Sequence, residues 1–457
     1  MKTTVRVGAT ATAILLTCGS AVGPAARNTR AARPSVLGAA FVRAKPCHGH
    51  ITADFNGDGR SDNAVGAPYA EVSGRVRAGT VAVGYGGHVS WLAMPVAEHG
   101  AGFGATLATG DFDGDHCDDL AVGVPDHGAA RPGADGTGAV YVYYGSPAGL
   151  RPGSTLSVRD LGRRPGSDRF GAALTAGDLD RDGRDDLVVG APGLARGGGV
   201  GLFTDGLRDR RLITQRTPWV GGRASRTDGF GSSLAIGRFG GGRRRELAVG
   251  APGDGDEASG AATVLDPAAR RSRHITQESR GVRGVSERYD KFGAAVAAVD
   301  VDHDGIDELA VGAPGEDHTT IPENFAVGAV HVLHASGRDD LWTLRGAGHY
   351  DRFGTTLAAA DLDGDGTADL AASATGSGVV QVLNGHRGSG LTRGTLITSP
   401  AGRRAQFGWT LSIRGRDLFV GAPGARAFGG TVYRVHGRSR TPIQNGSAGE
   451  LLGYVVI

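Results

Sequence analysis

Five short acidic loops carry the residues of this chain that are best suited to chemistry. The first, residues 54–62, reads DFNGDGRSD, with side-chain oxygens at positions 1, 3, 5 and 9 and glycine at position 6. Hard cations such as Ca²⁺ take about six to eight oxygen ligands, whereas Mg²⁺ prefers a smaller octahedral shell with several waters. In a tight loop, positions 1, 3 and 5 can point inward, the carbonyl of position 7 can coordinate, and the carboxylate at position 9 can close the shell. This spacing predicts a calcium site.

Four further loops repeat the pattern, so we predict about five structural Ca²⁺ ions. The predicted ligands, with the backbone carbonyl acting at position 7, are Asp54, Asn56, Asp58, Arg60 and Asp62; Asp111, Asp113, Asp115, Cys117 and Asp119; Asp178, Asp180, Asp182, Arg184 and Asp186; Asp300, Asp302, Asp304, Ile306 and Glu308; and Asp361, Asp363, Asp365, Thr367 and Asp369. His116 replaces the glycine at position 6 of the second loop. A turn position is thereby strained, and we expect this site to be the weakest of the five.

Two places in the series lack these ligands. In the fourth repeat, Arg238, Gly240, Gly242 and Glu246 stand at the ligand positions, and the seventh repeat is too short to contain a loop. No cation is expected at either place, and Arg238 can pair with Glu246 to hold the fourth loop. Solvated acidic turns are the alternative interpretation of the other five, since Asp and Gly are ordinary turn residues. Five such loops in register favour metal sites.

The loops recur because they belong to a repeat that also supplies the strands around them. Each copy runs from an aromatic-glycine pair through an apolar strand, the acidic loop and a second apolar strand to Gly-Ala-Pro, and two more strand-like runs follow. The aromatic-glycine pairs begin at Phe103, Phe170, Phe230, Phe292, Phe353 and Phe407, and a first copy lacks this pair, which makes seven repeats. Four short strands per repeat predict an all-β, seven-bladed β-propeller, because a blade buries both of its faces only by stacking on its neighbours.

The repeats resemble FG-GAP repeats, since Phe-Gly and Gly-Ala-Pro recur in order at a regular spacing across residues 46–457. The resemblance implies the seven-bladed propeller found at the head of integrin alpha chains. Related repeats occur in bacterial secreted proteins, in some lectins and as accessory domains of enzymes.

The N-terminus predicts export. Lys2 and Arg6 open a segment that continues with an apolar run and small residues, so we assign residues 1–26 as a secretory signal peptide and residues 27–45 as a linker. An uncleaved anchor is one alternative, and a lipid anchor on Cys18, which follows a segment resembling a lipobox, is another. No later stretch has the roughly 20 apolar residues that a membrane helix needs.

Cys47 and Cys117 remain as a pair after removal of the signal peptide, and an oxidising compartment favours a disulfide between them. If the first strand runs from about Cys47 to Ala53, Cys47 starts at the end of the strand away from the loops. Seven strand residues cover roughly 23 Å, far beyond the ~7 Å that a disulfide allows between Cα atoms. A disulfide therefore requires Cys47 to lie off the strand, and two separate thiols remain the alternative.

The C-terminus predicts how the ring of blades closes. Leu452-Gly453 stands where an eighth Phe-Gly would be, and the β-rich residues 454–457 follow it. The first repeat lacks its own Phe-Gly, so we predict that the C-terminal strand completes or flanks blade one. A frayed tail is the alternative.

The sequence contains no Gly-x-Ser-x-Gly elbow, no His-Glu-x-x-His pair and no phosphate-binding loop. We therefore expect a protein that is not an enzyme, with Ca²⁺ as its cofactor and no catalytic residues. No nucleic-acid partner and no transmembrane span are expected, and we expect a monomer.

The variable segments 126–136, 253–259 and 315–327 follow Gly-Ala-Pro or its drifted copies and emerge opposite the acidic loops. Recognition usually uses such loops on a rigid scaffold. We therefore predict a secreted calcium-binding β-propeller that acts as an extracellular binding or adhesion module for a protein or polysaccharide through that face. A lectin-like polysaccharide binder and a secreted hydrolase with a cryptic site are the alternatives.

Overall fold

The computed structural model describes residue 47 and residues 53–129, 134–317, 325–437, 439–445, 452, 453 and 455–457. These residues form seven four-stranded antiparallel sheets, and helix is almost absent. The predicted all-β, seven-bladed propeller is confirmed. The predicted signal peptide and linker lie outside the described residues.

Each sheet is one blade. Blade one has the order β28-β1-β2-β3, and blades two to seven are formed by β4–β7, β8–β11, β12–β15, β16–β19, β20–β23 and β24–β27. The strands are β1 (Asn63–Ala67), β2 (Thr80–Tyr85), β3 (His88–Leu92), β4 (Thr106–Gly110), β5 (Asp119–Val124), β6 (Ala139–Tyr144), β7 (Arg151–Leu156), β8 (Ala173–Gly177), β9 (Asp186–Ala191), β10 (Gly199–Thr204), β11 (Asp209–Ile213), β12 (Ser233–Gly237), β13 (Glu246–Ala251), β14 (Ala261–Asp266), β15 (Arg271–Ile275), β16 (Ala295–Val299), β17 (Glu308–Ala313), β18 (Ala329–Leu333), β19 (Asp339–Thr343), β20 (Phe353–Ala360), β21 (Asp369–Ala374), β22 (Val379–Asn384), β23 (Thr392–Thr398), β24 (Thr410–Arg414), β25 (Asp417–Ala422), β26 (Thr431–His436), β27 (Ser439–Asn445) and β28 (Val455–Val456).

Helical structure among the described residues is limited to single turns. These are the 3₁₀ helices Val158–Leu161, Asp256–Ala258 and Arg403–Ala405 and the α-helix α1 (Ala425–Phe428). No helix in the described part of the chain is long and apolar enough to cross a membrane.

Burial is greatest in the second strand of each blade and falls toward the outer edge. Every residue of β9 (DLVVGA) and of β17 (ELAVGA) is buried, whereas the fourth strands β7 and β11 are mostly exposed. A second strand is covered on both faces by neighbouring blades, so it needs apolar or small side chains throughout rather than an alternating pattern. The first strands of successive blades contact one another around the centre of the ring.

Phe-Gly and Gly-Ala-Pro lie where neighbouring blades meet. All six phenylalanines are fully buried, and five form parallel bridges with a glycine of the preceding blade, as Phe170 does with Gly138. A Cβ atom on Gly190 would lie 2.1 Å from the carbonyl oxygen of Gly231 in the next blade. Any larger residue at that Gly-Ala-Pro would push the blades apart, which explains why the two motifs recur together.

The C-terminal strand closes the ring, as predicted. β28 pairs with β1 through Val65 with Val456 and Gly66 with Val455, so it is the innermost strand of blade one. Leu452 is buried and bridges Gly430 in parallel, which is the contact that phenylalanine makes at the other junctions. The frayed-tail alternative is therefore wrong.

The antiparallel order of strands separates two faces of the ring. In blades two, three, five and six the acidic loop joins the first strand to the second, and the loop 54–62 leads directly into β1, the second strand of blade one. These loops and the turns between third and fourth strands lie on the same side, which we call the acidic-loop face. The loops between second and third strands and the connections between blades lie on the other side, which we call the opposite face.

Candidate metal sites

Each acidic loop is closed by the same hydrogen bonds between its carboxylates and its own backbone. The carboxylate at position 5 accepts the N–H of position 7 in all five loops, at 2.8–2.9 Å. The carboxylate at position 9 accepts the N–H of position 2, at 2.8–3.1 Å. In four loops the carboxylate at position 1 accepts the N–H of position 6, at 2.9–3.0 Å. The acidic side chains therefore turn toward the interior of their loops.

Four of the five loops bring three carboxylates together, with one oxygen of each lying within 4.8 Å of the others. The trios are Asp111, Asp113 and Asp115; Asp178, Asp180 and Asp186; Asp300, Asp302 and Asp304; and Asp361, Asp363 and Asp365. Three trios use positions 1, 3 and 5, and the trio of the third loop uses positions 1, 3 and 9. The first loop has Asn56 at position 3 and does not bring its three carboxylates within this distance.

Two of these loops contain a buried carboxylate oxygen that accepts no hydrogen bond, Oδ1 of Asp62 and Oδ1 of Asp302. An unpaired buried acceptor is destabilising, and a bound cation would satisfy it. Carboxylate, amide and carbonyl oxygens are also the donors that hard divalent cations prefer. The residues present therefore fit such an ion.

Burial raises the pKa of the carboxyl group at position 9 in all five loops. The pKa rises to about 7 for Asp62, about 8 for Asp119 and about 7 for Asp186, and it also rises for Glu308 and Asp369. Loss of solvation is the largest cause, and the neighbouring loop carboxylates raise the pKa further. Without a nearby positive charge, these groups therefore hold protons to unusually high pH.

In three loops the second oxygen at position 9 is bound by its own blade. Asp119 Oδ1 accepts the Gly145 N–H at 2.8 Å, and Asp369 Oδ1 accepts the Gly385 N–H at 3.0 Å. Glu308 Oε1 lies 3.0 Å from Nδ1 of His334. These carboxylates fasten the loop to the end of the third strand, a role that the sequence interpretation of position 9 did not include.

The first two loops carry features that oppose cation binding. The position-6 residues of the other four loops are glycines with positive φ, and His116 adopts the same left-handed conformation at φ 68°. The strain predicted for the second loop is thus present. In the first loop, Asp62 and Asp118 act electrostatically on Arg414, a guanidinium whose pKa is lowered to about 10 by burial. Its positive charge competes with a cation at the first loop, which the sequence did not indicate.

The two repeats without the acidic ligands, the fourth and the seventh, differ in the contacts that connect their first two strands. Among the ion pairs of the described residues, none joins Arg238 to Glu246, so that prediction is wrong. The Glu246 carboxylate instead accepts the Gly240 N–H. Blade seven has no loop, as predicted, because β24 and β25 are joined by a tight hairpin in which Arg414 pairs with Asp417.

Sequence reasoning missed the aspartates at position 8, which connect neighbouring loops. Asp185 Oδ2 accepts the Asp111 N–H at 3.1 Å, and Asp307 Oδ2 accepts the Arg238 N–H at 2.7 Å. Asp118 accepts the Ala53 N–H in the same way. The available signal was a second acid directly before position 9. These bonds connect the acidic loops of adjacent blades.

A disulfide joins Cys47 to Cys117, with the two Cα atoms 5.0 Å apart. The bridge is possible because β28, and not the segment starting at Cys47, is the innermost strand of blade one. Cys47 packs against Gly57 of the first loop, and Cys117 is position 7 of the second loop. Cys47 is thereby fixed at the acidic-loop face.

The repeats are found in proteins of known families. The sequence model of the FG-GAP repeat matches residues 103–143, 170–203, 292–333 and 353–389. Phosphatidylinositol-glycan-specific phospholipase D of Rattus norvegicus is 38% identical over 163 residues, which are 32% of this chain and 18% of that enzyme. Integrin alpha-PS2 of Drosophila melanogaster is 31% identical over 248 residues, 50% of this chain and 16% of the integrin. This chain thus spans about a fifth of the length of these relatives.

Among solved structures, the periplasmic gluconolactonase of Pseudomonas aeruginosa aligns with a TM-score of 0.46 and 16% identity, covering 85% of this chain and 97% of that one.

The expectation that the chain is not an enzyme is corrected by these relatives, because they include phosphatidylinositol-glycan-specific phospholipases D. That expectation rested on three missing motifs. Short motifs describe only a few reaction types, so their absence does not exclude catalysis in general.

Proposed function

Because this chain is an FG-GAP repeat protein with an integrin alpha-like propeller, we propose that it is a secreted recognition module loaded with calcium. The acidic loops hold Ca²⁺ as structural ions on one face, and the opposite face binds an extracellular protein or polysaccharide. The convergence of three carboxylates in each of four loops is the observation that supports calcium binding. Each such loop leaves several negative charges close together, which a divalent cation relieves.

Exposed apolar side chains support recognition through the opposite face. Among the described residues, eleven large apolar side chains are exposed, and seven of them lie in opposite-face loops: Val76, Val96, Val285, Tyr289, Phe325, Tyr350 and Phe428. The other four lie on fourth strands at the rim, and none lies in an acidic loop. Exposed apolar patches and aromatic side chains are typical of binding surfaces.

Phe325 and Tyr350 form the densest part of this surface. The centroids of both rings lie close to that of His349, at 6.4 and 6.5 Å, and the Tyr350 N–H donates to the Phe325 carbonyl oxygen at 2.9 Å. The three rings belong to neighbouring loops of blade five and the connection to blade six. Because backbone hydrogen bonds already hold this aromatic cluster in place, a partner that binds to it causes little further loss of conformational entropy.

Binding of the calcium-loaded chain to arrays of extracellular proteins and of polysaccharides tests the recognition half. Replacing Phe325 and Tyr350 together by alanine should weaken binding about tenfold or more. Trp91→Ala is the matched control, because Trp91 is equally exposed but lies on rim strand β3. Equal losses in both variants, or none in either, would contradict recognition through this surface.

The 38% identity to phosphatidylinositol-glycan-specific phospholipase D favours a second candidate function, the hydrolysis of phosphatidylinositol-glycan anchors. The chain covers 18% of that enzyme, so the activity itself has to be measured. Incubating the purified chain with a phosphatidylinositol-glycan-anchored reporter in vesicles should release the reporter if this candidate is right. A reporter that stays in the vesicles would exclude it.

A further inference from the structure

Two junctions between blades share a set of three polar residues that the acidic loops do not include. Gln215, Asp228 and Asp254 lie between blades three and four, and Gln277, Asp290 and Glu316 lie between blades four and five. In both sets the glutamine follows a fourth strand, the aspartate precedes Phe-Gly, and the last acid follows Gly-Ala-Pro. The glutamine and the last acid are 39 positions apart in both. All six residues are thus at the opposite face.

The two sets make the same hydrogen bonds. Gln215 Nε2 donates to Asp254 Oδ2 at 2.8 Å, and Gln277 Nε2 donates to Glu316 Oε2 at 2.6 Å. The aspartates before Phe-Gly each accept a backbone N–H through Oδ2 at 2.6 Å, Asp228 from Ser225 and Asp290 from Glu287. The glutamine amide and one carboxylate oxygen are therefore fixed in both sets.

Two oxygens remain unpaired in each set. Oε1 of Gln215, Oδ1 of Asp228, Oε1 of Gln277 and Oδ1 of Asp290 are buried and have no hydrogen-bond partner. The side chains that carry them are almost inaccessible: the two aspartates are 0% exposed, Gln215 6% and Gln277 3%. Four orphaned acceptors in two equivalent places indicate a missing positive partner rather than an isolated irregularity.

Gly197 packs tightly against the first set. A Cβ atom on Gly197 would lie 2.6 Å from the Ser225 carbonyl oxygen, 3.0 Å from Gln215 Oε1 and 3.4 Å from Asp228 Oδ2, so the side chains of Gln215 and Asp228 face the same backbone position. Among the described residues, no lysine or arginine forms an ion pair with any of the four acids of the two sets. The positive groups that act on the buried aspartates are imidazoles, His274 toward Asp228 and His331 toward Asp290.

We propose that these two sets are a second class of divalent-cation site, built at the blade junctions of the opposite face and distinct from the acidic loops. In each, an amide oxygen and two carboxylates supply the hard oxygen donors that Ca²⁺ or Mn²⁺ takes. The cation satisfies the two unpaired oxygens and relieves the repulsion between the two acids. It also connects a glutamine of one blade to two acids of the next, so each ion fastens two blades together.

Asp168 provides a matched control within the chain. It precedes Phe-Gly at the junction of blades two and three, it is 3% exposed, and its Oδ2 accepts the Gly166 N–H at 2.6 Å. It has neither the glutamine nor the second acid, because Val158 and Leu194 occupy the neighbouring repeat positions. Asp168→Asn therefore reports the structural cost of losing this carboxylate without a cation site.

Equilibrium dialysis of the full chain with Mn²⁺ alone tests the proposal. The double variant Asp228→Asn with Asp290→Asn should bind about two fewer Mn²⁺ per chain than the wild type, and Asp168→Asn should bind the same number as the wild type. The loop sites are retained in all three proteins, so failure of the loop proposal would change all three counts together. Equal Mn²⁺ counts in the double variant and the wild type would overturn the junction sites.

Anomalous diffraction from wild-type crystals grown with Mn²⁺ decides the question even if the double variant does not fold. The proposal predicts a peak about 2.2–2.6 Å from Asp228 Oδ1 and another beside Asp290 Oδ1. Peaks in the acidic loops but none at the junctions would overturn it.

Discussion

At the scale of single residues, the burial of carboxylate groups determines how the acidic loops can bind a cation. The position-9 carboxylates are almost fully buried, and in three loops their two oxygens are divided between the loop backbone and a group at the end of the third strand. The side chain at position 3 has fewer hydrogen-bond partners that compete with a cation. In Asp302 one carboxylate oxygen has no hydrogen-bond partner at all. Substitutions at position 3 should therefore report cation binding more cleanly than substitutions at position 9, where backbone bonds are lost as well.

Asp302→Asn should remove most of the calcium-dependent stability contributed by the acidic loop 300–308 of blade five. A site occupied at about 100 times its Kd contributes about 2.7 kcal/mol to the free energy of unfolding, so the loss should approach this value. Glu246→Gln is the control, because Glu246 occupies position 9 of the blank fourth loop. Urea unfolding of both variants with Ca²⁺ and with chelator measures the difference. An equal response to Ca²⁺ in both would contradict the assignment of Asp302.

His116→Gly should stabilise the protein by about 1 kcal/mol, because glycine accepts the left-handed conformation at φ 68° without a Cβ clash. His116→Ala is the control, since alanine removes the imidazole near Asp111 but keeps the strained backbone. Thermal unfolding should place the glycine variant above both the wild type and the alanine variant. If the alanine variant gained as much stability, the imidazole and not the backbone would be the cause.

The raised carboxyl pKa values predict that the calcium-free protein loses stability as pH increases. The folded-state pKa values of Asp62, Asp119 and Asp186 are about 7 to 8, whereas the ordinary value is 3.8. The folded state binds more protons than the unfolded state between these limits, so stability is greatest below pH 4 and declines as pH rises through about 8. Denaturant midpoints with chelator should therefore fall from pH 5 to pH 8. With Ca²⁺ the decline should be much smaller, because the ion stabilises the ionised carboxylates.

At the scale of elements, the contacts between blades explain why the repeat has its particular motifs. Phe170 fills the junction while Gly190 allows Gly231 of the next blade to approach. The same packing contact occurs where the two chain ends meet. There Leu452 takes the place of phenylalanine, and β28 is the first strand of blade one. The two ends of the ring are thus joined by the packing used at every other junction.

Leu452→Ala should destabilise the ring by about 2–5 kcal/mol, the usual cost of a cavity left by a buried leucine. Leu396→Ala should cost far less, because Leu396 is 44% exposed on β23. Deleting residues 451–457 should have a larger effect and expose the edge of β1 to aggregation. A deletion variant that melts at the wild-type temperature would show that β28 does not close the ring.

At the scale of the whole molecule, the sequence was sufficient for the fold because each repeat carries its own packing signals. Phe-Gly, the acidic loop and Gly-Ala-Pro are local, and they could be recognised because most of the seven repeats carry them in the same order. The contacts that the sequence did not predict join distant residues. The Cys47–Cys117 bridge depended on which segment fills blade one, and the Glu246 carboxylate accepts the Gly240 N–H where a pair with Arg238 was predicted.

The junction residues show why other features were missed. Gln215, Asp228 and Asp254 lie in three separate segments, and only the ring brings them together. Two copies at a constant spacing were a usable signal, but they are too few to stand out from ordinary polar loop residues. The chemistry of the relatives could not be read from motifs either, because this chain spans only a fraction of their length.

The stoichiometry of Ca²⁺ binding tests the central claim most directly. Calcium titration of the variant with Asp228→Asn and Asp290→Asn isolates the acidic loops from the junctions. The four loops with converging carboxylates should each bind one Ca²⁺, and the first loop a fifth if the Arg414 charge permits it. Binding of four or five ions, with a melting temperature that falls when they are chelated, is the predicted result. Fewer than three bound ions, or a melting temperature that does not respond to their removal, would contradict a calcium-loaded propeller.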